Sequence, residues 1–272
     1  MSSARGYGYG YRVAVTDWSD DLALAHALAD AADAITMRRF AASDLVVETK
    51  PDLTPVSNAD RAVEDAVRRT LAAERPRDAV LGEERGESGS GSRRWIIDPI
   101  DGTKGFVRGA PSWATLIALE AAGQLVIGMV SAPALARRWW GVVGAGSWTR
   151  SPSGTRQCQV SQVAKLDDAF LCYSSLSGWE EHGVLPQFLD LGRRVWRTRA
   201  YGDFWSHMLV AEGVADISCE PEVSLWDLAA LQPILEEAGG RFTDLAGNAR
   251  ADGGSVICTN GLLHEGVLTA LS

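Results

Sequence analysis

Trp95-Ile96-Ile97-Asp98-Pro99-Ile100-Asp101-Gly102-Thr103 is an apolar run that ends in two carboxylates three residues apart. A short apolar run flanked by turn residues reads as a buried strand. The strand end holds Asp98, Pro99 bends the chain, and Asp101 can turn back toward the same ion. Two hard oxygen ligands then converge, a set that suits Mg2+. Gly102-Thr103 is expected to open a short helix or helical turn, whose N–H groups offer a phosphate position beside the metal. An isolated pair of this kind reads more simply as an Asx-turn or a helix cap. Two other segments change that balance. Leu81-Gly82-Glu83-Glu84 ends a neighbouring strand in acids, and Leu225-Trp226-Asp227 places an acid where another helix should begin. Four carboxylates at the edges of apolar elements repel one another unless a cation joins them.

Upstream of this segment, Leu22, Ala25, Leu28, Ala29, Ala32 and Ile35 recur at helical spacing and predict a helix over about 20–41, with Ser19 as its cap. A β-prone stretch, Leu45 to Thr49, leads into KPDLTPVSNAD, whose Pro51 and Pro55 predict a loop. Ser57 or Asn58 can cap a second helix with Ala62, Val63, Ala66, Val67 and Leu71 on its apolar stripe, which puts Asp60 in the first turn. Glu84 to Arg94, rich in Gly and Ser, reads as a flexible connection. Beyond the central strand, Trp113–Leu119, Leu125–Ser131 and Arg137–Val143 follow closely enough to predict an antiparallel meander. After Ser151 strands alternate with helices. Strands are expected at 169–173, 194–198, 215–219, 241–243 and 255–259, with helices near 178–191, 203–213, 225–238 and 262–271. A meander followed by alternating elements predicts stacked layers of helices and sheets.

The chain has 272 residues, 46% hydrophobic and 22% charged, enough for a sizeable core without staples. Its formal charge of −9 opposes general attraction to nucleic acid or an anionic membrane. Cys158, Cys172, Cys219 and Cys258 lack metal or redox spacing and are expected as buried free thiols. With no apolar leader and no apolar run of about 18 residues, a cytoplasmic location is expected. Residues 1–16, with their Gly/Tyr repetition, are expected to be a flexible extension. His26 and His207 fall within helices and read as packed or surface residues. Of Trp139-Trp140, one is expected to pack inward and the other to cover a rim or dimer contact. Arg193, Arg194, Arg197 and Arg199 read as an exposed strand face with ion pairs.

Glu83-Glu84, Asp98-Pro99-Ile100-Asp101-Gly102-Thr103 and Trp226-Asp227 together resemble, in order, the three signatures of the inositol monophosphatase-like metal-dependent phosphatases. The resemblance implies an α+β fold layered αβαβα over residues 17–272, divided into a metal-binding half at about 17–150 and an α/β half at about 151–272. It also implies a homodimer that hydrolyses a phosphate monoester with two or three Mg2+ ions, with Mn2+ as a substitute. Carried over position by position, Glu83, Asp98, the carbonyl of Ile100, Asp101 and Asp227 would be metal ligands. Asp60 would pair with Thr103 to orient or deprotonate the attacking water, with Glu83 also counted among the catalytic groups. Gly102 and Thr103 would meet the phosphate. Such chemistry answers a physical need, since a phosphate dianion repels hydroxide until cations neutralise it.

Several longer segments, among them the 50–64 run, DGTKGFVRGAPSWATLIAL, SAPALARRWWG and RAYGDFWSHMLVAEGVADI, resemble the actinobacterial histidinol-phosphatase branch. That branch implies a small phosphate ester bearing an ammonium and an imidazole. Gly202, Asp203 and Glu220 stand where such relatives touch the leaving alcohol. Lys104-Gly105-Phe106 instead resembles the 3′(2′),5′-bisphosphate nucleotidases, so nucleotidase and inositol monophosphatase activities are the alternatives. An inactive metal- or phosphate-binding module should have lost a ligand or the Asp60–Thr103 pair, and all of them are present.

Overall fold

The two amphipathic stripes near the start of the chain become helices that share one face of a large sheet. The computed structural model describes residues 17–51 and 54–272, so the expected N-terminal extension lies outside the described residues. α1 (Ser19–Arg39) buries Ala25, Leu28, Ala29 and Ala32, and α2 (Asn58–Glu74) buries Ala59, Val63, Val67 and Leu71. Ser57 caps α2 as expected. Its hydroxyl accepts from the Ala59 N–H, and Asp60 reciprocates by accepting from the Ser57 N–H. The expected cap of α1 is different, because Ser19 is already helical and its N–H donates to Asp17 Oδ1 at 2.9 Å. Between the helices, β1 (Val47–Thr49) pairs antiparallel with β2 (Pro55–Ser57). The proline-rich loop therefore ends in a strand, with Pro55 at its first position, where the missing N–H is tolerated.

The large sheet contains β3 (Ala79–Gly82), β4 (Gly86–Ser88), β5 (Arg93–Asp101), β6 (Ala114–Ala121), β7 (Gln124–Ala132), β8 (Arg137–Val142), β9 (Gly146–Ser151) and β10 (Gly154–Gln157). α3 (Thr103–Val107) follows β5. Among the described residues the strand order is β10-β9-β8-β7-β6-β5-β3-β4, with β3 and β5 parallel and the other neighbours antiparallel. The predicted meander is present and is extended by β9 and β10. Part of the expected flexible connection is instead β4, because its N–H and C=O groups find partners along the edge of β3.

The second half contributes β11 (Phe170–Tyr173), α4 (Ser177–Glu181), α5 (Leu185–Arg194), β12 (Arg197–Ala200), α6 (Asp203–Ala211), β13 (Ile217–Glu220), α7 (Leu225–Leu228), α8 (Leu231–Glu237), β14 (Arg241–Thr243), β15 (Val256–Thr259) and α9 (His264–Leu271). Its sheet runs β12-β11-β13-β15-β14. Two expected helices are each broken in two. Gly183 at φ +72° separates α4 from α5. Pro233 falls in the first turn of α8, where its missing N–H leaves no gap in the helix, so the chain restarts there. Arg194 belongs to α5, not to the following strand.

Adjacent strand residues point to opposite faces and so divide the core. Ile97, Leu119, Ile127 and Met129 face α1 and α2. Ile96, Leu116, Val130 and Trp139 face a middle layer formed by Phe204 and Met208 of α6 and Leu231, Ile234 and Leu235 of α8. Leu171, Ile217 and Ile257 on the far side of the second sheet meet Trp179, Phe188 and Val267. The layers are thus α, β, α, β, α. Trp140 packs edge-on against His26 of α1, with ring centroids 5.0 Å apart, so both tryptophans of the pair pack against the sheet's covering helices. Burial of all four cysteines as free thiols matches the expectation.

Candidate active site

β5 delivers Asp98 from inside the large sheet, and its register against β6 shifts between Asp98 and Asp101. That irregularity brings the second carboxylate to the same side. The Ile100 N–H donates to Asp98 Oδ1 at 3.0 Å, and Thr103 Oγ1 donates to the Ile100 carbonyl at 2.8 Å. Gly102 opens α3 at φ +83°, and a Cβ there would lie 2.7 Å from the Ser112 carbonyl. Only glycine fits both demands. From the other half of the chain, Asp227 caps α7 by accepting the Ser224 N–H at 2.7 Å. Capping and ligation are compatible, because each carboxylate has two oxygens. Oxygens of Asp98, Asp101 and Asp227 lie within 4.8 Å of one another.

These three groups stand far from their ordinary ionisation. Burial raises the Asp98 carboxyl well above its usual range, and Glu83, Asp101, Asp227 and Asp60 add to the effect. Burial likewise raises Asp101, aided by Asp203 and Asp227 and opposed by the Phe204 N–H, which donates to it at 2.7 Å. Asp227 is pushed up to about 7, chiefly by burial. Like charges this close cannot all ionise without compensation. An all-carboxylate set of hard oxygens with no sulfur donor fits a divalent cation of the magnesium or manganese type.

The structure treats the remaining expected residues differently. Glu83 lines the same cavity, and its N–H donates to the Ile97 carbonyl at 3.2 Å. Its carboxylate, however, pairs with Lys50 Nζ at 2.7 Å and is not one of the three clustered acids. Lys50 also pairs with Glu84, at 2.5 Å. Sequence reading missed Lys50, because only the β1–β2 hairpin brings it across to the end of β3. Asp60 and Thr103 do meet, with Oγ1 3.3 Å from Asp60 Oδ1. Asp60 Oδ2 accepts from the Ser57 N–H at 2.8 Å and from Ser57 Oγ at 2.6 Å, while burial raises its carboxyl.

A second acidic group lines the same cavity of about 570 Å³. Gly202 and Asp203 adopt φ +81° and +46° at the start of α6. Left-handed backbone at a non-glycine residue costs roughly 1–3 kcal/mol and marks a position held by its surroundings. Burial pushes Asp203 up to about 6, with Glu220 contributing. Glu220 Oε2 accepts from Ser174 Oγ at 2.8 Å, while Oε1 has no hydrogen-bond partner among the described residues and lies 3.4 Å from His207 Nε2. His207, expected to be a packed or surface residue, is buried within α6 and also lines the cavity. Its place one helical turn after Asp203 was the available signal.

The inositol monophosphatase family model matches residues 17–272. A histidinol-phosphatase of Streptomyces coelicolor is 59% identical over 261 residues, covering 94% of this chain and 98% of that protein. A histidinol-phosphatase of Mycobacterium tuberculosis is 58% identical over 256 residues, covering 93% of this chain and 98% of that protein. Among solved structures, an inositol monophosphatase from Zymomonas mobilis superposes with a TM-score of 0.83 at 33% identity, covering 94% of this chain and 99% of that one. With the family model matching residues 17–272 and similarity to these relatives over nearly its whole length, the chain belongs to the inositol monophosphatase family.

Proposed function

We propose that this protein is a metal-dependent phosphate monoester hydrolase that converts L-histidinol phosphate and water to L-histidinol and phosphate. The observation that carries the hydrolase reading is the convergence of Asp98, Asp101 and Asp227 from distant segments. Those three would hold the first cation, and Glu83 and the Ile100 carbonyl, in the same cavity, would complete a site for two or three Mg2+ ions, or Mn2+ in their place. When bound, such ions neutralise phosphate oxygens, acidify the attacking water and stabilise the leaving alkoxide. Asp60 would accept the water's proton through Thr103, since the Thr103 hydroxyl has one hydrogen to share between Asp60 Oδ1 and the Ile100 carbonyl. The N–H groups of Gly102 and Thr103 would hold phosphate oxygens.

Support for the alcohol comes from two directions. Two relatives at 58–59% identity carry the histidinol-phosphatase name. Beside the metal-binding acids, Asp203 and Glu220 present carboxylates to a leaving group with an ammonium and an imidazole, and Glu220 Oε1 still has an acceptor position to fill. Gly202 would let the backbone approach that group. The reading includes a cytoplasmic homodimer; no helix among the described residues is long and apolar enough to cross a membrane. The test is phosphate release from histidinol phosphate, inositol 1-phosphate, adenosine 3′,5′-bisphosphate and fructose 1,6-bisphosphate, compared by kcat/KM with and without Mg2+. Histidinol phosphate should lead and activity should vanish without metal. Preference for the adenosine bisphosphate would overturn the substrate assignment.

A further inference from the structure

Glu64 is fully buried on α2, outside every group assigned above. Its carboxylate reaches the turn that carries Glu83. Oε2 accepts from the Glu84 N–H at 2.8 Å, and Oε1 accepts from the Arg85 N–H at 3.1 Å and from Arg68 Nε at 2.8 Å. Arg68 continues the connection, donating to Ser88 Oγ at 2.7 Å and to the Gly86 carbonyl. Around the outside, Arg85 makes a two-pronged ion pair with Asp65 at 3.0 and 2.9 Å. The close approach also dictates Gly82, where a Cβ would lie 2.2 Å from Glu64 Oε1.

Burying a carboxylate costs several kcal/mol unless good geometry and full hydrogen bonding offset it. Here two backbone donors and one guanidinium do so. The result is directional, because these bonds hold the backbone on the C-terminal side of Glu83 while the Glu83 N–H is fixed to the Ile97 carbonyl, next to Asp98. Asp60, Glu64 and Arg68 occur at four-residue steps along one helix face. One rigid element therefore carries both the acid facing Thr103 and the clamp on the Glu83 turn.

We propose that Glu64 is a positioning residue that sets Glu83 for cation binding relative to Asp98 and Asp60. The proposal rests on the metal reading above and is independent of which alcohol is released. Partners that orient ligands typically contribute 10–100-fold to metal affinity. The test is Mn2+ binding to the full chain, followed by electron paramagnetic resonance and by titration calorimetry, alongside melting temperature. Glu64→Gln should bind Mn2+ about tenfold more weakly. Asp216→Asn is the control, since Asp216 is also a buried carboxylate on a backbone N–H, that of Phe170, but in the other sheet. It should lower the melting temperature without weakening Mn2+ binding. Arg68→Gln, which keeps Glu64, should weaken binding in the same direction but less than Glu64→Gln does, and serves if Glu64→Gln does not fold. Unchanged Mn2+ affinity in Glu64→Gln or, if that variant does not fold, in Arg68→Gln would overturn the proposal. So would equal weakening in Asp216→Asn. Wild-type protein that binds no Mn2+ at all would instead overturn the metal reading itself.

Discussion

Two groups of acids line one cavity and differ in what accompanies them. Asp98, Asp101 and Asp227 bring oxygens within 4.8 Å of one another, whereas Asp203 and Glu220 are accompanied by His207 and Ser174, and Glu220 Oε1, 3.4 Å from His207 Nε2, has no hydrogen-bond partner among the described residues. Crowded carboxylates match a small divalent ion, which replaces several repulsions with attractions at once. Carboxylates with a hydroxyl and an imidazole beside them would suit an organic cation, whose charge is spread and whose donors point in fixed directions. On the proposed reading the same residue type would serve two ligands, told apart by what surrounds each group.

Several measurements would break or sharpen that contrast. The largest effect is expected for Asp98→Asn, which should lower kcat/KM by about a thousandfold, equivalent to about 4 kcal/mol of transition-state stabilisation. Metal-free Asp98→Asn should nevertheless melt no lower than wild type, because one crowded charge has gone. Melting curves and initial rates of phosphate release check both. Next, Mg2+ at a hundred times its Kd should stabilise wild type by about 2.7 kcal/mol, and EDTA should abolish that gain. Asp227→Asn should show little of it.

The second acidic group should respond selectively. Glu220→Gln should lose about 2 kcal/mol in kcat/KM for histidinol phosphate, roughly thirtyfold, because a charge-assisted hydrogen bond is weakened. With p-nitrophenyl phosphate, whose leaving group carries no cation, the loss should be much smaller. Equal losses on both substrates would assign Glu220 to the metal-binding acids and dissolve the contrast.

His264 supplies the smallest expected effect and a comparison outside the cavity. It is fully buried between Thr243 and Thr259 at 2.9 and 3.0 Å, and burial lowers its pKa to about 4. Its folded value lies below the unfolded value of about 6.5, so unfolding takes up a proton in between. Its contribution is complete above the unfolded pKa and is lost as pH falls toward the folded one. Between pH 7 and 5.5 the loss should be about 1 kcal/mol. Denaturant titrations of wild type and His264→Gln should differ in that slope.

Much of this could be read in the chain itself. The 95–103 segment showed a strand, a turn and two candidate ligands because an apolar run and turn chemistry are local properties, and Ser57 with Asp60 showed a helix start for the same reason. Lys50 and Glu64 were not legible, and His207 offered only its place one helical turn after Asp203. Lys50 reaches Glu83 across 33 positions, and Glu64 reaches the Glu84 N–H across 20. Nothing in their immediate neighbours distinguishes them from ordinary surface or helix residues. The breaks at Gly183 and Pro233 were visible as residues, but their consequence depended on what the flanking segments pack against.

The chain alone determined the family, the layered architecture and the acids that gather at the centre, because those follow from short patterns whose order is preserved along the sequence. Tertiary structure decided how those acids are held. Lys50 pairs with Glu83, Glu64 clamps its turn, and one oxygen of Glu220 remains available. The physical reason is that hydrogen bonds and ion pairs depend on separations of about 3 Å, which only packing of remote segments can set.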